Sequence, residues 1–247
     1  HVTGVQTCAL PISRRRAALP ATEWSDGDQP SARARGLRTS RLSTRTASTN
    51  ALSSAPAGGR PVMSWARLAN MVETARQMGV PQPIVCQPPY SAVTRQIETE
   101  LLPCCDHYGV GVVAYSPLAR GVLTGKYKPG AAPEAGSRAA RGDKRILQTE
   151  FRPESLEVSQ ALCAHAAQRG MSPTQFAIAW VLNNQRIQGV IGGPRTLAQW
   201  HDYVAALSVR LTAEDEVVVD RWVPQGHAST HGYNDPQYPL TGRIAKP

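Results

Sequence analysis

No stretch of this chain approaches 18 consecutive apolar residues, so no membrane-spanning helix is expected. No two of the five cysteines (Cys8, Cys86, Cys104, Cys105, Cys163) have C-x-x-C spacing, so neither a zinc ribbon nor a thioredoxin-like motif is indicated. The adjacent Cys104 and Cys105 read as one buried and one exposed thiol of a cytosolic protein. No Ser-His-Asp arrangement can be argued. His227 and His231 have the i, i+4 spacing of a metal pair. They lie in a Gly- and Pro-rich tail where the helix that would use that spacing is not expected.

The first 62 residues lack the most. They contain no Lys, no Tyr and no Met, and Trp24 is their one aromatic residue. Neither a period of 2 nor one of 3.6 persists there, so residues 1–62 are expected to be disordered. They do contain nine Arg against three acidic residues, a net +6 of the chain's total of +9. A basic nucleic-acid arm is one reading of Arg14-Arg15-Arg16 and the later arginines. The favoured reading is a non-native segment. Val2–Ser13 (VTGVQTCALPIS) resembles a translated sequencing-library adapter, and the Arg/Ala/Pro-rich stretch after it resembles a GC-rich gene read out of frame. No nucleic-acid partner is therefore expected. A secretory signal is disfavoured, because the apolar run Cys8–Ile12 is short and the arginines follow it.

From residue 63 onward periodicity appears. Ser64 caps an expected helix with Trp65, Leu68, Met71, Val72, Ala75 and Met78 on one face and Gly79 at its end. Residues 83–87 read as a short strand, and 97–108 as a helix with Pro103 near its start and Gly109 after it. Residues 110–115 read as a strand buried on both faces, followed by a long polar loop over 126–152. Helices are expected over 153–169, from Ser172-Pro173, from Thr196 with Leu197, Trp200, Val204 and Leu207 on one face, and from Thr212. Residues 188–191 form the third expected strand, and the tail after Pro224 reads as loop. Strands alternating with helices predict an α/β domain over 63–247 with a parallel sheet.

Four blocks then name a family. QPPYS (Gln87–Ser91), VVAYSPLARGVLTGKY (Val112–Tyr127), SPTQFAIAWVL (Ser172–Leu182) and VIGGPRTLAQ (Val190–Gln199) together resemble the aldo-keto reductases, with the nearest likeness to bacterial members akin to potassium-channel β subunits. The resemblance implies a (β/α)₈ TIM barrel, of which this chain matches a part: about strands six to eight with their helices and the C-terminal tail. It implies a cytoplasmic enzyme that reduces a small-molecule aldehyde or ketone with NADPH. A non-enzymatic NADPH-binding module is the alternative, set back by the open strand edges of a half barrel.

Site residues follow from the same resemblance. Tyr115 would stack on the nicotinamide ring and Gln87 would bind its carboxamide. Ser116, Leu118 and Gly121 would line the loop around the pyrophosphate, where backbone N–H groups meet an anion. Lys126 and Arg138 would lie in a belt over the cofactor. Gly193, in the Gly192–Arg195 segment that leads to a helix N-terminus, would meet an anion, and Arg195 would make a forked contact with the 2′-phosphate, favouring NADP over NAD. Gln199 would meet the adenine. Tyr203 stands where many relatives carry Asn, which puts part of the adenine contact in doubt. The family's catalytic Asp, Tyr, Lys and His lie on earlier strands, and residues 1–62 supply no Tyr or Lys and only His1. No catalytic residue is therefore assigned, and the chain alone is expected to be inactive, as the product of a truncated or misassembled gene.

Overall fold

The computed structural model describes residues 8–11 and 64–238. Four strands form one sheet, in the order β1 (Cys8–Pro11), β4 (Gly189–Gly192), β3 (Gly111–Tyr115), β2 (Val85–Cys86). The β2–β3 and β3–β4 pairs are parallel, and β1 runs antiparallel to β4, with Cys8 opposite Gly192 and Pro11 opposite Gly189. Four residues of the 1–62 segment are thus described, and they are a strand. Pro11 has no N–H to donate, which suits the edge position. The rest of 1–62, where disorder is expected, lies outside the described residues.

The helices are α1 (Trp65–Gln77) before β2, α2 (Leu101–Tyr108) between β2 and β3, α3 (Lys144–Gln148), α4 (Pro153–Gln168) and α5 (Pro173–Asn183) between β3 and β4, and α6 (Leu197–Ala205) and α7 (Ala213–Trp222) after β4. Local chemistry accounts for their ends. The Ser64 hydroxyl caps α1, and Gly79 follows it at φ +65°. In α5 the Ser172 hydroxyl accepts from the Gln175 amide while the Gln175 side chain accepts from the Ser172 amide, a reciprocal capping box. Pro153 and Pro173 occupy first helical positions, where the missing N–H costs nothing.

The core gathers Leu68 and Val72 from α1, Leu102 and Cys105 from α2, Val112 and Ala114 from β3, Leu162 from α4 and Val190 from β4. Every residue from Phe176 to Leu182 is buried, so α5 is covered all round.

Three burial expectations need correcting. Strand β3 is not buried on both faces: Val112 and Ala114 are fully buried, while Gly111, Val113 and Tyr115 on the alternate face are half-buried. The expected inward face of α6 is also mostly turned outward, with Trp200 alone of its four residues packed against the core. Leu197 is 70% exposed and Val204 and Leu207 are exposed, because Tyr203 and Ala206 take the inward positions. On α1, Leu68, Val72 and Ala75 are buried as expected, but Trp65 and Met78 are exposed.

Candidate functional site

The ends of the parallel strands set the geometry. Pairing of Cys86 with Val112 continues past β2 to a bridge between Pro89 and Tyr115, with the Tyr115 amide donating to the Pro88 carbonyl at 2.9 Å. Tyr115 in turn pairs with Ile191 of β4. Gln87, Tyr115 and the 192–195 turn therefore emerge side by side from three adjacent strands. Gln87 is exposed and Tyr115 half-buried. Burial pushes the Tyr115 hydroxyl up, helped by Tyr238, Asp235 and Glu150 and opposed by Arg120.

The segment after β3 turns sharply. Ser116, Ala119 and Arg120 have φ of +58°, +47° and +53°, and Gly121 and Gly125 have +96° and +76°. Left-handed backbone at a residue with a side chain costs roughly 1–2 kcal/mol, so three such residues need holding. Ala119 N–H donates to the Ser116 carbonyl and Gly121 N–H to the Leu118 carbonyl, both at 2.8 Å. Leu118, Ala119, Val122 and Leu123 are buried, and the Ser159 hydroxyl of α4 donates to the Val122 carbonyl at 2.7 Å. The Arg120 guanidinium meets Glu150 at 3.0 Å. Leu118 can offer a ligand only backbone, since its side chain is spent in the core. A Cβ on Gly121 would stand 2.8 Å from the Lys126 ammonium, so Lys126 lies directly over that glycine.

At the end of β4 the two glycines differ. A Cβ on Gly192 would stand 2.8 Å from the Tyr203 ring, while one on Gly193 would meet nothing within 4 Å. Tyr203 is thus packed under the turn, its hydroxyl pushed up by burial and by Asp202 against the opposing effect of Arg138. Arg138, exposed in the long loop, lies 3.7 Å from Asp143. Arg195 is exposed and makes no ion pair among the described residues. The Thr196 hydroxyl accepts from the Gln199 amide at 3.2 Å, and Gln199 Oε1 accepts from the Arg195 amide at 2.7 Å. Gln199 therefore caps α6 with one end of its side-chain amide.

The expected residues thus fall on one set of strand ends and loops. Neighbours that the sequence reading missed surround Tyr115: the Arg120–Glu150 pair, and Arg145 holding Asp235 through two bonds of 3.1 and 2.6 Å. Arg152 lies 3.6 Å over the Tyr233 ring. The tail is latched across this region by contacts some 90 residues apart in sequence, which no local pattern announces.

Elsewhere, a cavity of about 250 Å³ is lined by Tyr90, Arg95, Glu98, Trp180, Asn184 and Glu216, and none of the expected site residues lines it. Its charges satisfy one another: Arg95 pairs with Glu98 and Asp220, Tyr90 donates to Glu98, and Trp180 and Asn183 donate to Glu216. Among the described residues no three His, Cys, Asp or Glu side chains could hold a metal, and no helix is long and apolar enough to cross a membrane.

Comparison with known proteins fits this arrangement. The chain is 35% identical over 145 residues to a probable voltage-gated potassium channel subunit beta of Oryza sativa subsp. japonica, covering 58% of this chain and 44% of that protein. It is 32% identical over 164 residues to L-glyceraldehyde 3-phosphate reductase of Escherichia coli strain K12, covering 65% and 47%. It is 35% identical over 156 residues to human aflatoxin B1 aldehyde reductase member 2, covering 58% and 43%. The chain spans less than half the length of these relatives. The model of the Aldo/keto reductase family matches residues 63–222, and the chain belongs to that family.

Proposed function

We propose that residues 63–247 are the later portion of a (β/α)₈ barrel, about strands six to eight, whose strand ends bind NADPH. The half-covered face of β3, which carries Val113 and Tyr115, supports this reading as the side that would line a barrel interior. The observation that carries the proposal is the shared position of Tyr115 and Gly193–Arg195 at the ends of adjacent parallel strands. Two cations stand at that end with no carboxylate partner among the described residues: Arg195, and Lys126 over Gly121. An open glycine, Gly193, and a loop of left-handed residues add backbone that an anion can approach. This donor set fits a phosphorylated dinucleotide.

In this reading Tyr115 and Gln87 hold the nicotinamide end. The backbone of Ser116, Leu118 and Gly121, with Lys126 and Arg138, holds the pyrophosphate. Gly193 and Arg195 hold the 2′-phosphate, and Gln199 the adenine. Tyr203, packed beneath Gly192, contributes support rather than a contact to the adenine. The cofactor supplies the hydride, and the parent enzyme, cytoplasmic, passes it to a small aldehyde or ketone. The two relatives named as reductases of glyceraldehyde 3-phosphate and of an aflatoxin aldehyde support that substrate class. Residues 1–62 supply neither Tyr nor Lys for the acid role, so this chain alone is proposed to turn over no carbonyl. A second reading, a non-enzymatic NADPH-binding module, is favoured by the similarity to potassium-channel β subunits.

Titration of NADPH fluorescence with the full chain tests the site. NADPH is expected to bind more tightly than NADH, and Arg195→Gln to remove that preference by weakening NADPH roughly 10- to 100-fold, the value of a charge-assisted contact. Equal affinity for both nucleotides, or an Arg195→Gln chain that still discriminates, would overturn the 2′-phosphate assignment. Steady oxidation of NADPH by an added aldehyde would refute inactivity.

A further inference from the structure

The tail after α7 is held at two places. Its first part is fixed to neighbours outside the polar loop. The Arg95 amide donates to the His227 carbonyl at 2.9 Å, and the Ser229 amide to the Val93 carbonyl at 3.1 Å. The Ser229 hydroxyl lies 2.8 Å from that of Ser155 on α4, and Thr230 donates to Glu154 at 2.9 Å. Its second part grips the loop over 126–152. Asp235 holds Arg145 of α3 through both carboxylate oxygens, and Tyr233 donates to the Gln148 carbonyl at 3.5 Å. The tip is braced by its own bonds. The Gln237 amide donates to Asp235 Oδ1 at 2.9 Å, the Tyr238 amide to the Asp235 carbonyl at 2.8 Å, and Asn234 Nδ2 to the Tyr238 carbonyl at 2.6 Å. The Asp235 carboxylate is therefore aimed in advance, and little order is lost in making its pair with Arg145.

We propose that Asp235 is a positioning residue for the cofactor: through Arg145 it clasps the 126–152 loop onto bound NADPH. In the NADPH reading above, on which this rests, Lys126 and Arg138 of that loop hold the pyrophosphate. A continuous set of contacts leads from Asp235 to Arg138. Arg145 lies in the first turn of α3, and its amide donates to Asp143 Oδ1 at 2.9 Å. Asp143 Oδ2 in turn lies 3.7 Å from the Arg138 guanidinium. Moving Arg145 therefore moves the carboxylate that faces Arg138.

A five-residue helix has too few internal bonds to hold its own place. Ile146, fully buried, seats α3 in the core, so the Asp235 pair governs the loop ahead of α3 rather than the fold as a whole. The Arg145 and Asp235 side chains are 31% and 22% exposed, covered enough for a two-bond contact between guanidinium and carboxylate to outweigh screening. The other pair that reaches the loop, Arg120–Glu150, ties it to the segment just after β3 and not to the tail.

The test follows release of NADPH and of NADH from the full chain by stopped-flow fluorescence. Asp235→Asn is expected to speed release about 10-fold, by the same factor for both nucleotides, since the pyrophosphate is common to them. That common factor separates the clasp from Arg195→Gln, which acts on NADPH alone. Arg145→Gln is expected to do the same, and the double variant no more than either single one, because all three remove one contact. The thermal midpoint should hold, while amide exchange over residues 128–143 quickens. Equal release from Asp235→Asn and the unsubstituted chain would overturn the clasp. So would losses that multiply in the double variant or that fall on NADPH alone. An unsubstituted chain that binds neither nucleotide would instead defeat the cofactor reading, and this role of Asp235 with it.

Discussion

At the residue scale, the two glycines after β4 show how one motif divides its work. Gly192 is needed for space: a side chain there would run into Tyr203, and no positive φ is involved. Gly192→Ala is expected to destabilise the chain by about 1–3 kcal/mol, the range for overpacking. Adding Tyr203→Leu should recover most of that. Gly193→Ala, whose Cβ meets nothing, should leave the urea midpoint unchanged and weaken NADPH binding. A Gly192→Ala chain with an unchanged midpoint would mean that Tyr203 does not pack as described. The sequence marks GGPR as an expected anion site. It did not separate the glycine that faces Tyr203 from the one that faces solvent, because the Tyr203 ring comes from eleven residues further on.

At the element scale, α7 rests on one carboxylate. Asp215 is fully buried and accepts from the Thr212 amide at 2.7 Å, from His165 Nε2 at 2.7 Å and from Arg169 at 3.3 Å. Burial alone would raise its pKa, but these partners outweigh it and hold the carboxyl below its ordinary value. The sign follows: the folded pKa lies below the unfolded one, so Asp215 stabilises the fold above the unfolded carboxylate range, about 3.9. The contribution fades as pH falls through the folded value. Asp215→Asn is expected to cost about 1–3 kcal/mol at pH 7, with the gap from the unsubstituted chain closing at lower pH. A gap that stays constant between pH 7 and 3 in urea melts would remove the charge argument. Elements of this kind were legible where local chemistry decides them. Ser64, Pro153, Ser172, Thr196 and Thr212 mark helix starts to within a residue or so. The five-residue α3 was missed inside the polar loop, although Asp143 caps it through bonds to the Arg145 and Ile146 amides. The expected helix over 97–108 is divided, with a 3₁₀ turn at Gln96–Glu98 before α2.

At the scale of the whole molecule, the sheet was legible only in part. Alternation of strands and helices predicted that β2, β3 and β4 run parallel, because each is joined to the next through helices, but it did not predict their order. The pairing of Cys8–Pro11 with β4 and the Arg145–Asp235 latch join segments far apart along the chain, and no periodicity encodes them. The same scale decides how the chain behaves in solution. Among the described residues β2 is the last strand of the sheet, and the approach to it exposes Met78 at 69%, Val80 at 48% and Ile84 at 81%. Pro81, Pro83, Pro88 and Pro89 remove N–H donors from this edge, so strand-to-strand hydrogen bonding between copies is blunted. What remains to drive association is apolar surface, and one charge at its most exposed point should counter it. The apparent mass from light scattering is therefore expected to rise with concentration up to roughly 100 µM, a range in which exposed apolar edges associate. Ile84→Lys should flatten that rise while leaving the thermal midpoint unchanged, because the side chain it replaces packs against almost nothing. A chain that holds one mass over the whole range would show that the β2 edge is not adhesive. A rise that Ile84→Lys does not alter would place the adhesive surface elsewhere, with the exposed Leu197, Val204 and Leu207 around α6 the next to be charged.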